Sequence, residues 1–276
     1  MTIAAAIESK KAVDRFLALG RYLLALPMLI YPVLHFVYPR FVAAIVPPWI
    51  PWHLFWTYFT ALTIFAAGLA ILFERCAWLA SILLGTEILL FCLLIHVFLL
   101  FHKAADPWAG AAMFGDLSNR LMNAPKDFGL SGACFVFAGM HSRAWRTNGK
   151  DQVMTLGRLI LGFSIIAFGV LHFAFPVFAP GIPPMFRDIS FPIPGHLFWV
   201  YLTAVACLAG GASILINRRA RLAATLLGIM ILAFDLLTWL PRFFSHPADL
   251  TGNWLKDLGI AGGVLILAAA LPKEAS

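Results

Sequence analysis

The chain has 276 residues, 62% of them hydrophobic and only 12% charged. A soluble domain carries roughly 25% charged residues, so an ordinary water-soluble globule is excluded and an integral membrane protein is indicated. The net charge of +7 is not a nucleic-acid signal, because the basic residues stand at the ends of apolar stretches and form no single patch.

Residues 1–14 are too polar for a secretory signal, and no small-residue cleavage site follows. The first apolar stretch, 16–37, therefore reads as a retained signal anchor. Further stretches follow at 54–73, 77–101, 127–140, 156–174, 197–216, 220–240 and 256–271. A membrane span needs about 17–25 apolar residues; 127–140 and 256–271 are the shortest of the set. Backbone in lipid must satisfy its own hydrogen bonds, and strand alternation of the barrel kind is absent. The expected fold is an all-α integral membrane protein with eight transmembrane helices.

The chain also repeats itself. Gly20-Arg21 opens a run ending in Leu34-His35-Phe36, and Gly157-Arg158 opens another ending in Leu171-His172-Phe173, 137 residues further on. His53-Leu54-Phe55-Trp56 returns as His196-Leu197-Phe198-Trp199. Asn123-x-x-Lys126-Asp127-x-Gly129 returns as Asn253-x-x-Lys256-Asp257-x-Gly259. A unit this long is a duplicated module, not a short solenoid repeat. Residues 1–141 and 152–276 thus form two four-helix modules, joined by a basic linker at 142–151. With four spans each, they insert as parallel repeats.

Proline-rich segments, Val46-Pro-Pro-Trp-Ile-Pro51 and Ile182 to Pro194, follow the first span of each module and should be stiff and non-helical. The turns at Glu74-Arg75 and Asn217-Arg-Arg219 are short enough to make tight helical hairpins. With eight spans both termini share a side. That side collects thirteen of the 20 Lys and Arg residues, which places the termini in the cytoplasm. The expected location is a bacterial-type cytoplasmic (inner) membrane. The four cysteines, Cys76, Cys92, Cys134 and Cys207, are isolated in sequence and read as small packing residues, not as a redox pair.

Seven of the eight histidines fall on the opposite, outer side at similar depth. His35 and His172 end first spans, His53 and His196 begin second spans, and His96 lies in the outer half of the third. His102, His246, Asp106 and Asp249 lie just beyond third spans. Three readings compete. The histidines cap helices and anchor at headgroups, amid tryptophans at the same level. Alternatively, His35, His53, His172 and His196 line an outward-facing polar pocket for a small polar molecule or a quinone head, since imidazole both donates and accepts. Or they ligate a metal or haem, with His96 the candidate ligand, although no HxxxH or HExxH pattern is present.

Lys126-Asp127 and Lys256-Asp257 are read as opening helices from the outer side. Aspartate there is a favourable cap, and the lysine beside it could hold an anion. Two acids lie inside spans, Glu87 and Asp235. A buried acid in lipid costs at least ~2.5 kcal/mol on insertion scales, so a functional role is the default hypothesis, a proton relay being one reading and a hydrogen bond to Thr86 or to another helix's hydroxyl the other. They are not duplicates, because Glu87 aligns with Met230 and Asp235 with Cys92.

Gly-Arg…Leu-His-Phe-x-x-Pro, then Pro-x-His-Leu-Phe-Trp-x-Tyr, Arg218-Arg219-Ala-Arg221, Leu240-Pro241-Arg242 and Asn-x-x-Lys-Asp-x-Gly together resemble the DoxX-like (DoxX/DoxD) family of four-helix membrane proteins, in two tandem copies. The first copy departs from the pattern at Glu74-Arg75-Cys76 and Val97-Phe98-Leu99. The resemblance implies quinone-linked redox work, as the membrane subunit of a quinone-linked oxidoreductase or the partner of a redox enzyme. On it, quinone is the expected cofactor; the resemblance itself assigns no catalytic residue, and it is the reading of the residues above that has Lys126, Asp127, Lys256 and Asp257 joining the histidines at the head-group site and Glu87 or Asp235 moving protons. A non-enzymatic carrier or assembly subunit and a haem- or metal-binding protein remain the alternatives. Apart from the lipid bilayer, a redox partner subunit is the expected partner, with no nucleic acid involved.

Overall fold

The computed structural model describes residues 3–101, 117–176, 195–239 and 253–271. Among these the secondary structure is entirely helical. The long helices are α1 (Ile3–Val37), α3 (His53–Leu72), α4 (Ala77–Leu100), α5 (Leu117–His141), α7 (Gln152–Ala174), α8 (His196–Ile216), α9 (Ala220–Phe234) and α10 (Asn253–Ala270). Two short helices, α2 (Pro39–Ile45) and α6 (Arg143–Asn148), ride on connections.

Among the described residues six helices are long and apolar enough to cross a membrane: Arg15–Val37, His53–Leu72, Ala77–Leu100, Gln152–Ala174, Leu197–Ile216 and Ala220–Leu237. Of the other two long helices, α5 is distinctly polar and α10 is apolar beyond its Lys256-Asp257 pair; both sit at the centre. Each residue from Leu130 to Gly139, and from Gly259 to Leu267, is buried. The outer helices turn leucines such as Leu62, Leu83 and Leu226 outward. That is the reverse of a soluble protein's pattern and suits a hydrocarbon solvent.

The helix neighbours cross between the halves of the sequence. Within the first half α1 packs on α3, α3 on α4 and α4 on α5; within the second α7 packs on α8, α8 on α9 and α9 on α10. The first helix of each half then lies along the last helix of the other, α1 on α10 and α7 on α5, and α5 and α10 also touch each other. Contacts between α1 and α5, or between α7 and α10, are slight.

Glycine makes both crossings possible. A methyl group on Gly20 would lie 2.7 Å from the Gly262 carbonyl oxygen, and one on Gly262 would lie 2.6 Å from that of Gly20. The other crossing repeats the device: a methyl on Gly157 would lie 2.5 Å from the Val136 backbone nitrogen and 2.8 Å from the Gly132 carbonyl oxygen. Small residues that let backbones approach are the means by which helices associate in lipid, where burying apolar side chains gains little. The repeated Gly-Arg of the sequence thus has a packing role in both copies.

The arginines of that motif tie helix ends. Arg158 donates to the carbonyls of Ile214 (2.6 Å) and Leu215 (3.0 Å) at the end of α8, and Arg21 pairs with Glu74 just past α3. C-terminal carbonyls lack intrahelical donors, so a cation is stabilising there. Both hairpin turns place two side-chain-bearing residues at positive φ, Glu74 and Cys76 in the first and Asn217 and Arg219 in the second. Residues 46–52 are irregular, as the prolines dictate, although Pro39 opens α2, where no helix is expected from the sequence. The second proline-rich segment, from Ile182 to Pro194, lies outside the described residues, as do His102, Asp106, His246 and Asp249.

The helix bearing Lys126 and Asp127 begins at Leu117, ten residues before the apolar stretch, and carries Pro125 inside it. Asp127 is therefore interior to its helix and does not cap it. Asp257 lies beyond the first turn of α10 and does not cap that helix either. The sequence placed both helix starts too late because polar residues resemble an end signal; here they are polar because they meet one another in the core.

Candidate functional site

Lys126 and Asp127 are adjacent on one helix, and neighbours at i and i+1 point in different directions. Neither can pair with the other, and each finds its partner in the other half of the chain. Lys126 Nζ lies 2.6 Å from Asp257 Oδ2, and Lys256 Nζ lies 2.6 Å from Asp127 Oδ1. The two ion pairs are reciprocal and hold α5 against α10. Lys126 and Asp127 are each 5% exposed, so these are core charges. A buried ion needs its counter-ion, because removing one partner of such a pair costs about 3–5 kcal/mol.

A third group completes the first carboxylate. The helical run of α4 loosens into a π-helical stretch at Cys92–Val97. His96, 5% exposed, lies in it, and its Nε2 is 2.8 Å from Asp127 Oδ2. Both oxygens of Asp127 are thus engaged. The second half has a π-helical stretch at the corresponding place, Asp235–Trp239, starting 143 residues after Cys92. Single-turn π-bulges of this kind gather at functional sites. The stretch opens with Asp235 where the first half has Cys92, and it carries Trp239 where the first half has His96. Cys92 donates to the Ala124 carbonyl at 3.3 Å. Asp235 is 8% exposed, and its Oδ2 meets no hydrogen-bond partner among the described residues.

Asp235 lines a half-open cleft between α7, α8, α9 and α10, together with His172, Thr203, Cys207 and Asp257; the other described walls are apolar, including Phe168, Leu227 and Phe234. Counted over the positions a water centre can take, its free volume is ≈ 60 Å³. A single water needs roughly 10–15 Å³ on that measure, so the cleft takes a few small groups at once. His172, 3% exposed, holds the Phe168 carbonyl through Nδ1 at 2.7 Å. A carbonyl only accepts, so Nδ1 carries the proton and Nε2 of the neutral ring is an acceptor. Thr203 Oγ1 donates to the Trp199 carbonyl at 2.8 Å, which commits its only hydrogen. Through Asp257, which is held by Lys126, the cleft adjoins the reciprocal ion pairs.

Lys126, Asp127, Lys256, Asp257 and His96 therefore converge at the centre, and Asp235 and His172 share a cleft beside them. The other candidates stand apart. His35 makes the same bond as His172, from Nδ1 to the Tyr31 carbonyl at 2.8 Å, on a half-buried ring. His53 is half-buried at the start of α3. His196 begins α8, and its side chain lies outside the described residues. Glu87 is half-buried and accepts from Thr63 Oγ1 at 2.8 Å, between α4 and α3. No group of three or more His, Cys, Asp or Glu suited to a metal ion occurs among the described residues.

Sequence reasoning missed Thr203 and Cys207 as cleft residues, and the buried Arg120, which donates to the Leu99 carbonyl at 3.1 Å beyond the π-helical stretch. A signal for the crossing was present in the repeated Lys-Asp dipeptide, whose members cannot satisfy each other. The chain matches no protein-family model, no curated protein and no solved structure.

Proposed function

We propose that this chain is the membrane component of a quinone-linked redox system and that it holds a quinone-class head group in the cleft of its second half. In this reading α5 and α10 span the membrane with the six apolar helices. The eight spans form two parallel DoxX-like repeats in a bacterial-type inner membrane, with both termini cytoplasmic. The observation that carries the proposal is Asp235, buried in an apolar cleft beside His172 and Thr203 with one carboxylate oxygen that meets no donor among the described residues. Polar groups inside a membrane are conspicuous sites of function. Few polar atoms set in apolar walls are what orients the head of an otherwise apolar ligand.

One oxygen-bearing end of the ring enters the cleft, and the rest of the ring and the tail remain at its mouth. Asp235 handles the proton that accompanies head-group chemistry, in preference to Glu87, which lies apart from the cleft. The Lys126–Asp257 pair fixes one wall. Electrons come from or go to a partner subunit.

Two measurements test the reading. Organic extraction of the purified protein, followed by chromatography of the lipids, should yield a quinone in near-stoichiometric amount. A short-chain quinone kept in its reduced form and titrated into protein in lipid nanodiscs should bind saturably, about tenfold more weakly to His172→Ala, which removes Nε2 as an acceptor for a hydroxyl, and with little change to His35→Ala, since a lost hydrogen bond of about 1.4 kcal/mol corresponds to that factor. Absence of both co-purified quinone and saturable binding of either redox form would sink the proposal.

A further inference from the structure

The polar groups of the cleft have a common direction. Thr203 has spent its hydrogen on the Trp199 carbonyl, so its oxygen presents lone pairs. His172 has its proton on Nδ1, committed to Phe168, which leaves Nε2 as the accepting nitrogen. Asp235 presents at least one accepting oxygen in either protonation state, and its Oδ2 meets no donor among the described residues. Asp257 is a carboxylate already serving Lys126. The remaining polar lining group, Cys207, has only a weak S–H donor. The described cleft is therefore rich in acceptors and poor in donors.

We infer that the cleft selects a ligand that brings hydroxyl hydrogens, and so binds the reduced hydroquinone in preference to the oxidised quinone. This rests on the quinone-class reading above. A hydroquinone hydroxyl brings one hydrogen, which Asp235 or Thr203 accepts. A quinone carbonyl only accepts, and it would set its lone pairs against those of Thr203 and of an ionised Asp235. Sites built for a partner hydrogen reject the analogue that lacks it, because buried groups are then left unpaired. One such unpaired group weakens binding about tenfold.

The test compares three probes on the full chain in nanodiscs under anaerobic conditions: decylubiquinol, decylubiquinone, and the dimethyl ether of the quinol, which keeps the reduced ring but has no donor. Equilibrium binding should rank the quinol at least about tenfold above both others. Thr203→Val should narrow that gap severalfold, and Asp235→Asn, whose amide supplies a donor, should bring quinol and quinone close together. Gel filtration and helical circular dichroism report whether each variant is folded, and Thr203→Val, a near-isosteric change, keeps the test usable should Asp235→Asn fail to fold. Equal affinities for quinol and quinone, tighter quinone binding, or an ether that binds as well as the quinol would overturn the inference while leaving the quinone-class reading standing. Binding of none of the three would overturn both.

Discussion

Replacing Lys126 by methionine keeps the length of the side chain and removes its charge. The structure assigns Lys126 to Asp257, 131 residues away, at 2.6 Å, with the lysine only 5% exposed. Asp257 would be left as a core carboxylate without its cation, a change that costs about 3–5 kcal/mol. In a protein of this size 1 kcal/mol corresponds to roughly 2–4 °C, so the midpoint should fall by about 6–20 °C. Removing both members of the pair restores an apolar contact and should return the protein to within about 1 kcal/mol of the native chain. The informative comparison is between two double variants. Lys126→Met with Asp257→Leu should recover most of the loss. Lys126→Met with Asp127→Leu, the neighbour in sequence, should not, because it orphans Lys256 and His96 as well. Reversible unfolding in mixed micelles, run as a double-mutant cycle, gives a coupling of about 2 kcal/mol or more for the first pair. Recovery with Asp127→Leu and none with Asp257→Leu would refute the crossed pairing, as would a cost below about 1 kcal/mol for Lys126→Met alone.

The crossing has a consequence for the chain as a whole. A protease site inserted at the exposed Gly149, after α6, should yield two fragments that stay together in mild detergent, since α1–α10, α5–α7 and α5–α10 all join the halves; co-elution of the untagged half on an affinity column checks this. Gly157→Ala should destabilise by about 1–3 kcal/mol, the usual cost of overpacking, because its methyl meets Val136 and Gly132 backbone that cannot swing away. The same unfolding assay measures it, with Gly157→Ser expected to be at least as damaging.

Several features were readable from the residues alone. Apolar stretches with almost no charge can only be helices in a chain of this composition, and six of them are long and apolar enough to cross a membrane. The tight hairpin turns lie where Glu74-Arg75 and Asn217-Arg219 stand. Asp235 is conspicuous in any reading, because an acid in an apolar stretch needs a reason. The central helices were read less well. Hydropathy reports what faces lipid, and α5 and α10 face protein, so the two Lys-Asp pairs looked like helix ends when Lys126 and Asp127 are buried in the core and Lys256 and Asp257 are their half-buried partners.

Composition pointed to a helical chain with helices long and apolar enough to cross a membrane, and the sequence repeat showed that its polar residues come in matched sets. Sequence could not decide which member of one set meets which member of the other, because adjacent Lys and Asp are each compatible with many partners. Tertiary structure decided it. The glycine crossings of α1 on α10 and α7 on α5 bring the two Lys-Asp dipeptides face to face. In that low-dielectric core each charge takes the opposite charge within reach, Asp127 gains His96 from a π-helical turn, and Asp235 faces the cleft that remains.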